Sequence, residues 1–213
     1  MPLPHRTRAL VLTGGRSSRF GGIHKPGVDV DGVPVLTRLH ATLTDVPVDG
    51  VWIAGPLAGL ADAQHDSVHQ VHEHPRFAGP LAGIAAAVAD MPPDPHAVIL
   101  VLAGDVPYAD PADLALLVRT SASTGRAAAG TDAGGRIQHL CAAWPDALLR
   151  DRLADIGDPT DTAVKRLWDG IEPMPVDVSP GSVEDFDTPD DYRRLTSGTR
   201  PPGPEGQPSQ SPS

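Results

Sequence analysis

A short apolar run, Ala9-Leu10-Val11-Leu12, breaks at Thr13 into a loop that carries Gly14, Gly15, Gly21 and Gly22 and is threaded by Arg16, Arg19 and Lys25. A run this short, with a β-branched member, suits a buried first strand. Glycines let a backbone approach a ligand closely. Successive amides turned inward form a concavity that suits anions, and guanidinium and ammonium groups supply the charge a polyphosphate needs. A strand ending in a bare surface loop is the plain alternative, but in α/β sheets ligand loops follow strand ends. Two common phosphate fingerprints are excluded. Lys25 is followed by Pro26, so the Gly-Lys-Ser/Thr helix opening of a P-loop is absent. The spacing of Gly14, Gly15 and Gly21 also fails the Gly-x-Gly-x-x-Gly dinucleotide pattern, which removes a NAD-dependent oxidoreductase.

Beyond the loop the chain alternates between strand and helix patterns. A short strand and turn are predicted at 28–32, and strands at 50–55, 68–72, 97–102, 126–131, 137–144, 174–178 and, briefly, 185–187. Helices are predicted at 34–43, 57–63, 84–89, 111–121 (capped by Asp110), 147–156, 163–168 and 189–195. The segment 97–102, AVILVL, is the most hydrophobic in the chain and reads as a central strand. The alternation implies an α/β fold, a mostly parallel sheet with helices on both faces. One domain is expected over 1–196. Residues 197–213 are Pro, Gly, Ser and Gln with almost nothing apolar, an expected disordered tail.

The 17 Lys and Arg against 27 Asp and Glu give a net charge of −10, which repels nucleic acid. A nucleotide would therefore need a locally basic pocket, and the opening loop offers one. Cys141 is the sole cysteine, so no intrachain disulfide forms. No apolar run reaches spanning length, and the first residues lack the apolar core of a signal peptide; a cytoplasmic location is the expectation. Asp105 follows the most hydrophobic run and so stands at a strand end. A carboxylate there can share Mg2+ with substrate phosphates, or can cap the turn toward Tyr108. His24, His72 and His74 are a further possible metal set without fixed spacing.

Leu12, Gly14, Gly15, Ser17, Arg19, Gly21 and Lys25, with Gly22 as one extra glycine, resemble the signature L-x-G-G-x-S-x-R-x-G-x-x-K of the MobA-like nucleotidyltransferases. Asp105-Val106-Pro107 resembles the family's D-x-P, Gly79-Pro80-Leu81-Ala82-Gly83 its G-P-L-A-G, and Asp185-Phe186-Asp187-Thr188-Pro189 its N-x-N/D-T-P. The resemblance implies a Rossmann-like nucleotidyltransferase fold. It implies nucleotide binding by Leu12, Thr13, Gly14, Gly15, Ser17, Lys25, Gly79, Pro80, Leu81 and Asp105, with Arg19 and Lys25 as catalytic cations. Mg2+ would lie on Asp105 and Asp187, with an acceptor beside 137–142. The implied reaction moves GMP from GTP to the phosphate of molybdopterin and releases pyrophosphate. The same motifs serve cytidylyltransferases and other NTP transferases acting on different phosphates, and an inactive nucleotide-binding relative would keep them too. Three positions depart from the pattern: His24 where an Asp is usual, Glu73-His74 with shifted spacing before G-P-L-A-G, and Ala54-Gly55 in place of an Asn.

Overall fold

The structure, a computed structural model, describes residues 6–14 and 25–184. Gly15, Ser17, Arg19, Gly21, Gly22, His24 and Asp187 lie outside the described residues, as do the predicted strand at 185–187, the helix at 189–195 and the tail.

The described residues form nine strands: β1 (Thr7–Leu12), β2 (Asp29–Val30), β3 (Val33–Pro34), β4 (Gly50–Ala54), β5 (His69–Val71), β6 (Val98–Ala103), β7 (Ala128–Thr131), β8 (Ile137–Pro145) and β9 (Met174–Asp177). Seven of them make one sheet in the order β5-β4-β1-β6-β8-β7-β9. β1 pairs in parallel with both β4 and β6, β4 with β5, and β7 with β9. Only β8 runs against its neighbours β6 and β7.

Side chains alternate across a strand, and here the two alternate sets feed separate cores. Ala9, Val11, Val51, Ile53, Val98, Leu100 and Leu102 face one side. There they meet α1 (Val35–Thr44) through Leu36, Leu39 and Leu43, and α3 (Pro111–Thr124) through Leu114, Leu117 and Val118. Leu10, Leu12, Trp52, Ala54, Ile99 and Val101 face the other. On that side lie α2 (Pro80–Asp90), through Leu81, Ile84, Ala87 and Val88, and α4 (Asp146–Ile156), through Leu149. Helices thus cover both faces. Among the described residues no helix is long and apolar enough to cross a membrane.

The structure corrects or extends four local expectations. The segment 57–63 is not a helix; a 3-10 helix forms later, at Asp62–Ser67. The predicted helix at 163–168 is also 3-10, over Val164–Trp168. The short strand and turn expected at 28–32 continue into a hairpin, β2 with β3, turning at Asp31 (φ 51°) and Gly32 (φ 77°). Two consecutive positive φ values are what a tight hairpin turn needs. Finally, α3 runs three residues further, to Thr124, and stops where Gly125 takes the left-handed conformation (φ 65°).

From β1 the chain adds β4 and then β5 on one side and returns to add β6 on the other. β1 and β6 are thus neighbours where the strand order reverses, and the carboxyl ends of these strands border the crevice where open α/β sheets hold ligands.

Candidate active site

At that edge the strands are drawn tightly together. The amides of Thr13 and Gly14 both donate to the carbonyl of Ala54, at 3.0 and 3.2 Å, and Gly104 donates to Leu12 at 2.9 Å. The Thr13 hydroxyl donates to the Pro56 carbonyl at 2.8 Å. Side chains would not fit at two glycines here. A Cβ on Gly55 would lie 2.5 Å from the Gly14 nitrogen, and one on Gly104 would lie 2.7 Å from the Leu12 oxygen. The amides of Thr13 and Gly14 therefore fix the strand ends to each other and are not turned toward an anion. Gly15 to Ser17, the continuation of this loop, lie outside the described residues.

Lys25 opens a 3-10 turn, Lys25–Gly27, whose Pro26 is buried. The turn rests on Gly59 (φ 94°), where a Cβ would strike the Pro26 carbonyl. Held this way, the Lys25 Nζ stands 3.5 Å from Oδ2 of Asp105, which follows β6, and the two side chains are only 12% and 21% exposed. Residues eighty apart in sequence thus meet as a cation and a carboxylate at the crevice.

Gly79 (φ 97°) precedes α2, and Pro80 takes its first position, where no backbone N–H is needed. Inside the helix, Gly83 lets α2 approach the sheet: a Cβ there would lie 3.2 Å from Leu12 and 3.5 Å from Ala54. At the far end Trp52 Nε1 donates to Asp90 at 2.8 Å. The Leu81 side chain is fully buried in the core, so only its backbone could face a nucleotide.

Two cavities meet at Pro80. The first, about 310 Å³, is lined by Leu12, Gly14, Ala54, Glu73, Phe77, Gly79, Pro80, Gly83 and Asp161. The second, about 480 Å³, is lined on the other side by Ala103, Val106 and residues 137–141, and by Ala163, Val164, Lys165, Ser182 and Val183. Among the described residues its lining carries Lys165 and His139 and no carboxylate. Burial first, and the neighbouring Lys165 second, lower the His139 pKa.

Cys141 is buried, and desolvation, with Asp113 adding to it, pushes its thiol up to about 12. A thiol is nucleophilic only as thiolate. In native protein at pH 8 it should therefore resist a disulfide reagent, and react only after denaturation; rapid native labelling would contradict this burial.

Among the described residues no group of three His, Cys, Asp or Glu is placed to hold a metal ion. His72 and His74 thus build no such site with their described neighbours. Asp105 alone, at a strand end and beside a lysine, is the kind of carboxylate on which a phosphate-borne Mg2+ can rest, since that ion takes one or two carboxylates and otherwise substrate oxygens and water.

The fold and crevice are those of a nucleotidyltransferase. A nucleotidyl transferase from Methanothermobacter superposes with a TM-score of 0.70 at 25% identity, covering 91% of this chain and 97% of that one. The molybdopterin-guanine dinucleotide biosynthesis protein A of Archaeoglobus fulgidus does so with a TM-score of 0.66 at 17% identity, covering 89% and 97%. The 2-C-methyl-D-erythritol 4-phosphate cytidylyltransferase of Thermus thermophilus gives 0.64 at 16% identity, covering 90% and 98%. No curated protein sequence matches. Residues 9–172 match the MobA-like NTP transferase domain, and the chain belongs to that family.

Of the residues expected at the site, Leu12, Gly14, Gly79 and Pro80 line the first cavity, and Lys25 and Asp105 meet beyond the carboxyl end of β6. His139 lies in the stretch 137–142 expected beside the acceptor and lines the second cavity, whereas Phe77, Asp161 and Lys165 were not singled out from the sequence. Only Phe77 left a trace there, as an aromatic residue in a polar stretch just before Gly79-Pro80.

Proposed function

We propose that this chain transfers GMP from GTP to the phosphate of molybdopterin. The observation that carries the reading is the meeting of Lys25 and Asp105 at 3.5 Å, beyond the carboxyl end of β6. One cavity has room for a nucleoside, and the other has a cationic lining suited to an anionic acceptor. An oxygen of the acceptor phosphate forms the new bond to the α-phosphorus in line. The bond from that phosphorus to the β-phosphate bridge breaks, and pyrophosphate leaves with its electrons. The attacking phosphate is already anionic, so no general base is required.

Phosphoryl transfers of this kind depend on positioning and charge neutralisation. Lys25 holds phosphate oxygens as charge shifts onto the leaving group, a role we give also to Arg19, and the amides of Gly15 to Ser17 cradle that group. Asp105, together with Asp187, would hold Mg2+, which when bound neutralises phosphate charge and lowers the barrier to attack. Lys165 in the second cavity attracts the acceptor's anionic group, with the neutral His139 imidazole beside it able to donate a hydrogen bond.

The test is pyrophosphate release from purified protein with Mg2+, molybdopterin and each of the four NTPs in turn. Release that needs molybdopterin and prefers GTP by at least about tenfold is the expected result. Preference for CTP would overturn the choice of base. Absence of release with any NTP would overturn the activity.

A further inference from the structure

Phe77 has two properties that folding alone does not explain. It is 56% exposed, the most exposed of the large hydrophobic residues described, and its backbone is left-handed, with φ 65°. Bulky residues rarely adopt that conformation, and such outliers cluster at ligand clamps. The conformation is held by Glu73, whose Oε1 accepts the Phe77 N–H at 2.9 Å. The effect is to keep an aromatic ring on the wall of the first cavity instead of in either core.

The same cavity receives Asp161 from a loop that is distant in sequence. Its amide donates to the Ala78 carbonyl at 2.7 Å, and its Cα lies 4.0 Å from where a Cβ on Gly79 would be. That backbone bond ties the loop to the segment ahead of α2. The Asp161 carboxylate itself has no hydrogen bond or ion pair among the described residues, whereas Glu73 is already engaged by Phe77.

We propose that Phe77 and Asp161 clamp the nucleobase, with the Phe77 ring stacked on its face and the Asp161 carboxylate reading its edge. This rests on the reading of the first cavity as the nucleoside site. An ionised carboxylate only accepts hydrogen bonds, through two oxygens side by side. Guanine matches this, with N1–H and the 2-amino group as adjacent donors. Adenine and cytosine set a ring acceptor beside their amino group, and uracil flanks its one N–H with carbonyls. The clamp therefore selects guanine by its pair of donors. Small residues on the floor of the cavity, Gly14, Ala54 and Gly83, leave space for a purine.

Asp161→Asn and Phe77→Ala test this, with binding of GTP and XTP measured by calorimetry in the presence of Mg2+ and turnover followed alongside. Xanthine replaces the 2-amino donor with a carbonyl, which an amide matches and a carboxylate repels. The wild type should favour GTP, and Asp161→Asn should shift the GTP-to-XTP affinity ratio toward XTP by about one to two orders of magnitude. Phe77→Ala should weaken GTP by roughly tenfold or more, as loss of a base–aromatic stack does, and Phe77→Trp should restore it. Both residues are exposed, and melting curves check that the variants fold. An unchanged ratio in Asp161→Asn, or wild-type affinity in Phe77→Ala, overturns the clamp even if GTP binds. A wild-type chain that binds no nucleotide instead removes the nucleoside site itself.

Discussion

Asp105→Asn should lower turnover at saturating nucleotide and acceptor by roughly 10²–10³-fold, the loss typical when one preorganised electrostatic group is removed from a transition state. The substitution keeps the size of the side chain and an oxygen that can accept from Lys25 Nζ at the same 3.5 Å. The folded protein should therefore lose only about 1 kcal/mol, which for a chain of this size lowers Tm by roughly 2–4 °C. Lys25→Ala should show a comparable loss of turnover, because the cation that we propose holds the phosphates is gone. The two substitutions remove halves of one charged constellation. Together they should therefore lose far less than the product of the two single effects, as residues acting as a unit do. The measurement is kcat for each single variant and for the double variant. Near-normal kcat in either single variant, with its melting curve unchanged, removes that residue from the mechanism.

Why the sequence revealed these two residues and missed others follows from how each is placed. Lys25 and Asp105 each close a segment with a local pattern: a glycine loop after an apolar run, and an acid after the most hydrophobic strand. Strand ends on one side of a parallel sheet are brought to one edge by topology, so local pattern was enough. The direction of β8 was not legible in the same way, because a strand covered on both faces carries the same apolar content whichever way it runs. The helix expected at 57–63 failed because Gly59 is needed there in a left-handed conformation to seat the Lys25 turn. Phe77 and Asp161 come from loops, and Asp161 reaches the cavity through a single backbone bond to Ala78. No periodicity records a contact of that kind. The Thr13 and Gly14 amides show the reverse error. The glycine loop suggested that they faced a ligand, and the partner that takes them, Ala54, belongs to a strand forty residues on.

That same contact between strand ends sets the largest stability effect expected in this chain. Gly55→Ala places a Cβ 2.5 Å from the Gly14 nitrogen and 2.9 Å from its Cα, at a residue whose φ is 127°. Two of the atoms it meets are backbone, and the third, the Thr13 hydroxyl oxygen at 2.7 Å, is itself held by its bond to the Pro56 carbonyl. The end of β4 must move off β1, which breaks the bonds from Thr13 and Gly14 to Ala54, and the alanine must also hold a conformation that L residues avoid. Strain and lost packing together should cost about 3 kcal/mol, a fall in Tm of roughly 6–12 °C. Gly125→Ala separates the two causes. Gly125 also has a positive φ, 65°, but a Cβ there meets nothing within 4 Å, so only conformational strain of about 1 kcal/mol should appear. Because Gly14 lines the first cavity, where we propose that the nucleoside binds, Gly55→Ala should also weaken GTP binding, whereas Gly125→Ala, at the end of α3, should leave it unchanged. If the two variants melt together and bind GTP equally, the close approach of β4 to the loop after β1 does not shape this site.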